Sequence, residues 1–440
     1  MMHGVALASG GGEHGGSGNE ASAMFQDILV LLAVVSVAYL MTHLFLERIQ
    51  RRFGLVSGVE YIILGVLIGP VLGLLDAATL SKFTPALVLG TGSLGLMAGL
   101  NMNFRRFEAM DLEAMRVALW ISMVTLLVMV ILPLMVLYAM TDIETTLKWG
   151  RVFLCVGAIA MVADASPVQS LRHFMGAQGA AADAAIRVAK FCSVMAVFSF
   201  GLIFCMFDHE TVFLPEGFRM LEWFIVHLLL GVALGLVFAQ FLRRDLDEDK
   251  SLAVIIGVVI FTSGIAYYLR LSPVFVNVIL GIVLANVSKQ HEQVAMKLRN
   301  VKRPLYIVLF FFAGATLSLS TPIWAYFLAV PYLLLRTIAR TTGGIIAMRT
   351  TPDQLGTFRI PALGRVVLAP GALSVALLLD FDSVYGTFNT SSILYGGALV
   401  AILMSEMLSY TRTRSWLLDH TDVAPGTIRQ VLSGEDVEVA

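Results

Sequence analysis

Long apolar runs of about twenty residues, separated by short polar segments, fill most of the chain. A helix of that length spans a hydrocarbon core of about 30 Å, because each helical residue rises about 1.5 Å. The pattern therefore predicts an all-α membrane protein with about 13 transmembrane helices. The predicted spans lie near residues 27–46, 58–75, 83–101, 116–140, 151–173, 184–207, 219–242, 251–269, 272–288, 304–320, 322–348, 360–380 and 390–411.

The composition supports a membrane protein. Hydrophobic residues make up 58% of the 440 residues and charged residues 14%, with a mean hydropathy of +0.83. Soluble domains carry roughly 25% charged residues. The net charge of -1 provides no basic field that would attract nucleic acid. We therefore expect the lipid bilayer as the surroundings, no nucleic-acid partner, no soluble enzyme and no cofactor.

Lysine and arginine are distributed unevenly between alternate loops. Of the 30 Lys and Arg residues, 21 fall on one side of the predicted spans and 5 on the other. Because basic loops stay in the cytoplasm, the N-terminus is predicted outside and the C-terminus inside the cell membrane. Residues 1–26 then form a disordered extracytoplasmic tail, 27–411 the transmembrane domain and 412–440 a short cytoplasmic tail.

Short motifs recur in the same order in two sets of spans. The Gly-containing segment at 63–69 of the second span resembles 279–285 of the ninth, and 97–100 of the third resembles 312–315 of the tenth. A separation of seven spans turns the second set upside down relative to the first. The pattern predicts two inverted repeats, about 58–207 and 272–411, as in secondary transporters.

The fifth and twelfth spans are interrupted at corresponding places. The interruptions lie at 163–168, which contains Pro167, and at 368–372, which contains Pro370 and Gly371. Proline and glycine free backbone groups that can face a cavity and replace the hydration shell of an ion. The two discontinuous helices are therefore predicted to cross at the substrate site. Ordinary proline kinks are the alternative.

Asp164 lies inside the fifth span beside the interruption. An ionised side chain there costs at least about 2.5–3.5 kcal/mol, so it requires a partner or a function. A proton and a cation would compete for this carboxylate, and the hydroxyl of Ser166 suits a hard cation. The alternative is a structural acid with a permanent basic partner. Other polar residues within spans, such as Glu406 and His227, are expected to have packing or interfacial roles.

Three basic residues within spans complete the candidate site. Lys190, with Ser193 one turn later, is predicted either to pair with Asp164 until the cation arrives or to extend to the cytoplasmic surface. Arg340, with Arg336 one turn earlier, is predicted as a fixed countercharge or as an anchor for carbonyls freed at the interruptions.

Several segments between about 55 and 411 resemble the monovalent cation:proton antiporter superfamily, the sodium/proton exchangers. These are the Glu-containing segment 59–70, the Ala-Gly-Leu segment 94–103, the second-repeat segments 271–286 and 304–314, and the Pro-Gly-Ala segment 370–376. The resemblance implies a homodimer in which a core of spans 3 to 6 and 10 to 13 moves across a scaffold.

The chain departs from that family at the ion-binding acids. The family's fifth helix usually reads Thr-Asp-Pro, whereas Ala165, Ser166 and Pro167 stand here and Asp164 comes two residues early. The sixth-helix aspartate is replaced by the Cys192-Ser193 pair. Arg340 matches the basic residue of the eleventh helix.

The first hypothesis is therefore a transporter that exchanges Na⁺ or K⁺ for protons. Asp164 would be the titrating group that binds the monovalent cation, with Ser166 and Ser193 as oxygen ligands. One alternative is a channel, a uniporter or a symporter of an organic anion that uses Lys190 and Arg340. Another is a sensor or scaffold that retains the antiporter fold without exchange.

Overall fold

A computed structural model describes residues 58–75, 77–104, 109–177, 179–206, 218–242, 248–288, 290–318, 321–351, 363–366, 369–385 and 389–421. Within those ranges all regular secondary structure is helical. The predicted first span at 27–46, the tail at 1–26 and the residues after 421 lie outside the described part of the chain.

The helices are numbered in chain order. They are α1 (Val59–Val66, continued by a π-helical turn Leu67–Val71), α2 (Ala77–Lys82), α3 (Thr84–Leu100), α4 (Ala109–Met140), α5 (Ile143–Met161), α6 (Ser166–Phe174), α7 (Ala180–Phe204), α8 (Arg219–Leu242), α9 (Glu248–Tyr268), α10 (Pro273–Val287), α11 (His291–Ala315), α12 (Ile323–Phe327), α13 (Ala329–Thr350), α14 (Leu363–Val366), α15 (Gly371–Tyr385) and α16 (Asn389–His420).

Each predicted span from 58–75 onward coincides with a helix or with a pair of consecutive helices. The ends differ where polar turns extend a helix beyond its apolar run. Helix α11 begins at His291 instead of 304, and α16 continues to His420 instead of ending at 411. Residues 412–420 of the predicted tail are thus helical, and Leu417 is fully buried. The predicted span ends are set by hydropathy, which identifies only the part of a helix that suits lipid. The helices are longer because helical backbone hydrogen bonds continue through the adjacent polar turns.

Six segments of the described residues, each formed by one helix or by two consecutive helices, are long and apolar enough to cross a membrane. They are Asp111–Met140, Ile143–Phe174, Ala180–Phe204, Met220–Leu242, Ile323–Thr350 and Ile393–His420. The remaining apolar helices are shorter, namely Glu60–Val71, Thr84–Leu100, Ala253–Tyr268, Pro273–Val287 and Pro304–Ala315. The fold is that of an all-α membrane protein, and the count of 13 spans stays a prediction.

Two helix pairs pack through closely approaching glycines. A Cβ atom at Gly65 of α1 would lie 2.0 Å from a backbone oxygen of α11, and one at Gly99 of α3 would lie 2.1 Å from a backbone oxygen of α10. Gly314 of α11 and Gly281 of α10 make the reciprocal approaches. The repeat relation drawn from the motifs equates α1 with α10 and α3 with α11. The α1–α11 interface therefore corresponds to the α10–α3 interface under the repeat relation, and both are formed by closely approaching glycines.

Both predicted interruptions are present. Helix α5 ends at Met161 and α6 begins at Ser166, so 162–165 are not helical. Helix α15 begins at Gly371, directly after the non-helical Pro370. The N–H of Asp164 donates to the carbonyl oxygen of Ala369 at 2.7 Å. The two interruptions thus meet in the core.

Candidate functional site

Asp164 lies at the N-terminal end of α6. Its Oδ1 atom accepts hydrogen bonds from the backbone N–H of Ser166 at 2.9 Å and from the Ser166 hydroxyl at 2.8 Å. The first N–H groups of a helix have no helical acceptor, and the positive end of the helix dipole stabilises a negative charge there. The N-terminus of α6 therefore favours negative charge at Asp164, which forms no salt bridge with the described residues.

The start of α15 is built in a corresponding way. The N–H of Gly371 donates to Oε1 of Glu406, a residue of α16 that is only 6% exposed. Gly371 has a φ of 67°, a left-handed conformation that favours glycine. A Cβ atom at this position would lie 2.6 Å from Oδ2 of Asp164. A carboxylate thus stands at each of the two half-helix N-termini, and Gly371 separates them.

Two fully buried arginines of α13 satisfy the carbonyl groups that the first interruption frees. Arg336 donates from Nε to the carbonyl oxygen of Ala160 at 3.0 Å and from Nη2 to that of Val162 at 2.8 Å. Arg340 donates from Nη2 to the carbonyl oxygens of Met161 and Val162. Of the two roles predicted for Arg340, the structure places it in that of a carbonyl anchor.

The serine hydroxyls of the candidate site are already engaged. The Ser193 hydroxyl donates to the carbonyl oxygen of Ala163 and accepts the Ala163 N–H at 3.3 Å. This pair of bonds ties α7 to the interruption. The Ser166 hydroxyl bridges Asp164 to Lys302 of α11, whose Nζ donates to Oγ at 3.3 Å.

A cavity of about 470 Å³ lies over the interruption. Its charged lining residues are Asp164, Lys190, Arg299 and Lys302. Ser166, Ser193 and Pro370 also line it, so the cavity brings together most of the residues that the sequence singled out. Within the described residues, no hydrogen bond or ion pair joins Lys190 to Asp164, and Lys302 is the lysine linked to Asp164 through Ser166.

A second cavity, of about 60 Å³, also borders Asp164. Its polar lining residues are Asp164, Ser166, Tyr306, Glu406, Ser409 and Tyr410. In the part of the chain that the structure describes, no group of three or more His, Cys, Asp and Glu side chains could hold a metal ion. An ion at Asp164 would thus be bound by carboxylate, hydroxyl and carbonyl oxygens, a ligand set suited to hard cations.

Sequence reasoning missed Lys302 and underestimated Glu406. Lys302 fell in a loop because the tenth span was predicted to begin at 304, whereas α11 is already helical from His291. Its position four residues before Tyr306, whose ring centroid lies 5.0 Å from the Lys302 Nζ, would have placed both on one helix face. No sequence signal indicated that Glu406 faces the twelfth span.

Comparisons with known proteins agree with this architecture. The family described as "Sodium/hydrogen exchanger, transmembrane" matches residues 32–408. The ammonium/H⁺ antiporter subunit AmhT of Alkalihalophilus pseudofirmus is 33% identical over 123 residues, which cover 28% of this chain and 31% of that relative. The match to this relative therefore spans about a third of its length.

Solved structures of similar fold come from Methanocaldococcus jannaschii. The sodium proton antiporter MjNhaP1 at pH 8 aligns with a TM-score of 0.66 and 15% identity, over 90% of this chain and 99% of that one. An electron-microscopy structure of MjNhaP1 aligns with a TM-score of 0.61 and 14% identity, over 89% and 97% of the two chains. At these identities the likeness establishes the fold.

Proposed function

The chain belongs to the sodium/hydrogen exchanger family, and from this premise we propose that it exchanges a monovalent cation for protons by alternating access, with Asp164 as the titrating site. The observation that carries the proposal is the position of Asp164. It lies where the two interrupted helices meet and lines both cavities at that crossing.

The surroundings of Asp164 suit a group that releases a proton and accepts a cation. The N-terminus of α6 stabilises its negative charge, and the cavity of about 470 Å³ gives ions a route to it. Lys302 shares the Ser166 hydroxyl with Asp164, which places a positive charge near this carboxyl. In the proton-loaded form Asp164 carries the proton. A cation that enters takes the place of that proton beside the carboxylate, and the proton leaves to water.

The names of the relatives add NH₄⁺ to the cations that should be tested. The similar solved structures are those of a sodium proton antiporter, and the curated relative is an ammonium/H⁺ antiporter subunit. Carboxylate and hydroxyl oxygens coordinate Na⁺ and K⁺, and NH₄⁺ donates hydrogen bonds to the same oxygens. We take Na⁺ or K⁺ as the first candidates and NH₄⁺ as the third.

In the proposed movement, a core that contains predicted spans 3 to 6 and 10 to 13 slides across a scaffold. The other spans form that scaffold. The repeats, about 58–207 and 272–411, supply the two related halves. The protein works as a homodimer in the cell membrane, with its N-terminus outside and its C-terminus in the cytoplasm. These assignments follow from the charge distribution and the family resemblance.

The test is proton flux into vesicles that contain the purified protein. A pH-sensitive dye inside the vesicles reports flux while gradients of Na⁺, K⁺ or NH₄⁺ are imposed, and empty vesicles correct for ammonia that crosses the lipid. Asp164→Asn is compared with the native chain, because asparagine keeps an acceptor oxygen for the Ser166 N–H. The exposed residue Asp142 provides a matched control, Asp142→Asn.

We expect cation-dependent flux in the native chain and in Asp142→Asn, and none in Asp164→Asn. Absence of flux with all three cations in the native chain would overturn the exchange function. Native flux that persists in Asp164→Asn would instead remove Asp164 from the titrating role.

A further inference from the structure

Glu406 is a buried acid that the exchange mechanism so far does not use. It projects from α16 to the first residue of α15 and accepts the N–H of Gly371 with its Oε1 atom. A capping role requires only an acceptor oxygen, which a neutral amide would supply equally well. An ionisable carboxyl that is 6% exposed is costly to charge in such a place, so its presence instead of an amide calls for a reason.

Glu406 and Asp164 share the cavity of about 60 Å³. The backbone of Gly371 lies between them, since Glu406 accepts its N–H and a Cβ atom there would lie 2.6 Å from Oδ2 of Asp164. Because the Gly371 N–H holds one oxygen of Glu406, the other oxygen is available to a ligand. The cavity has room for a small ion with one or two water molecules.

The other walls of this cavity also present oxygen atoms. Ser166 and Ser409 carry hydroxyls, and Tyr306 and Tyr410 carry phenol groups. Carboxylate and hydroxyl oxygens together form the ligand set of a hard cation, whereas an anion would meet two negative charges.

Within the described residues, neither Asp164 nor Glu406 forms a salt bridge. Lys302 of α11 bonds to the Ser166 hydroxyl on the Asp164 side. Arg336 of α13 directs its guanidinium to backbone carbonyls and to the Ser405 hydroxyl. Two carboxyls on one small cavity interact strongly, so they bind a proton or a cation as a unit.

We propose that Glu406 is the second ion-binding carboxyl of this transporter and that Asp164 and Glu406 together hold either one shared proton or one monovalent cation. The proposal rests on the exchange function proposed above. Glu406 thereby replaces the acid that the sixth helix lacks at Cys192-Ser193.

The exchange step balances with one proton for each cation. In the proton-loaded form, one of the two carboxyl groups is protonated, so the pair carries a single negative charge. When a monovalent cation enters the cavity that both carboxylates line, the proton leaves to water and the single negative charge is retained. No further charge needs to move through the site.

The experiment compares Glu406→Gln with the native chain in the same vesicles, with Na⁺ as the first driving cation. Glutamine keeps the volume and an acceptor for the Gly371 N–H, so a purely structural cap is preserved. Glu113→Gln is the matched control, because Glu113 of α4 is also 6% exposed and lies outside the cavity. Thermal unfolding and size-exclusion chromatography check that each variant is folded.

We expect Glu406→Gln to raise the half-saturating cation concentration at least about tenfold, because it removes a charged ligand. Glu113→Gln should leave that concentration unchanged. Glu406→Asp withdraws the carboxylate by one methylene and should give an intermediate half-saturating concentration. If Glu406→Gln does not fold, this second variant still tests the role of Glu406.

The outcomes separate the two proposals. No native flux with any of the three cations removes the exchange function itself. Native flux that is lost in Asp164→Asn, while both Glu406 variants keep the native half-saturating concentration, leaves the exchange function standing and overturns the role of Glu406.

Discussion

The backbone N–H of Asp164 donates to the carbonyl oxygen of Ala369 at 2.7 Å, which joins the interruption of one discontinuous helix to that of the other. A transmembrane helix that is broken leaves N–H and carbonyl groups that lipid cannot satisfy. Here a backbone N–H of one interruption is hydrogen-bonded to a carbonyl oxygen of the other. The residue that donates this bond, Asp164, also carries the candidate ion-binding carboxylate. A change on either side of this contact should therefore affect the site.

Gly371→Ala should lower both stability and exchange. The residue has a φ of 67°, and an added Cβ atom would lie 2.5 Å from Cβ of Asp164. Gly73→Ala is the matched control, since Gly73 has a φ of 64° and, apart from its chain neighbours, no atom of the described residues lies within 4 Å of the Cβ position. Both variants carry the backbone strain of roughly 1 kcal/mol, but only Gly371→Ala displaces Asp164. Thermal unfolding and vesicle flux would show the difference, and equal flux in the two variants would contradict it.

Arg340→Gln should lower the unfolding temperature and shift the interruption. The guanidinium is fully buried and donates to the carbonyls of 160–162. Arg336 still donates to those of Ala160 and Val162, so the loss of Arg340 leaves the Met161 carbonyl without its donor, at about 1–3 kcal/mol. Arg349→Gln on the same helix is exposed and provides the control. Unfolding is followed in detergent by a thiol-reactive dye that reports exposure of the buried cysteines. An unfolding temperature equal to that of Arg349→Gln would show that other donors replace the guanidinium.

The sequence predicted the helices and interruptions because both depend on local chemistry. Apolar runs mark the spans, and Pro167 and Pro370 mark the places where helical hydrogen bonding fails. Asp164 could be identified from local sequence for a similar reason, since an acidic side chain within an apolar run has a high free-energy cost whatever its tertiary contacts are.

The partners of Asp164 depend on packing between distant helices, and no local pattern encodes that packing. Lys302 joins the site because polar turns extend α11 ahead of its apolar run. Glu406 reaches Gly371 from 35 positions along the chain. The sequence indicates Lys190 as a partner of Asp164 because Lys190 lies inside a span, whereas the structure links Lys302 to Asp164 through Ser166.

Gly99→Ala should destabilise the protein by separating α3 from α10. The added Cβ atom would lie 2.1 Å from the carbonyl oxygen of Val278, and backbone on both sides leaves no flexible side chain to yield. Gly257→Ala in α9 is the control, because, apart from the adjacent turns of α9 itself, no atom of the described residues lies within 4 Å of its Cβ position. Alanine favours a helix over glycine by about 0.5–1 kcal/mol, so Gly257→Ala should be neutral or slightly stabilising. Equal unfolding temperatures for Gly99→Ala and Gly257→Ala would show that α3 and α10 can move apart without loss of stability.

A cross-link between α10 and α15 should arrest exchange if the core moves as proposed. The Ser272 hydroxyl donates to Oδ2 of Asp380, while the Ser272 N–H donates to Nε2 of His227 at 3.1 Å. Helices α8 and α10 fall in the proposed scaffold and α15 in the proposed moving core. If the core moves as proposed, the Ser272–Asp380 bond crosses the boundary and breaks in each transport cycle.

The test uses the double variant Ser272→Cys with Asp380→Cys, oxidised and then reduced in the same vesicles. Mass spectrometry establishes that the disulfide forms, and each single variant under the same oxidation controls for the buried native cysteines Cys155, Cys192 and Cys205. We expect oxidation to stop flux in the double variant alone and reductant to restore it. If the oxidised, cross-linked protein exchanges as fast as the same protein after reduction of the disulfide, α10 and α15 move together. The boundary between the moving core and the scaffold then lies elsewhere.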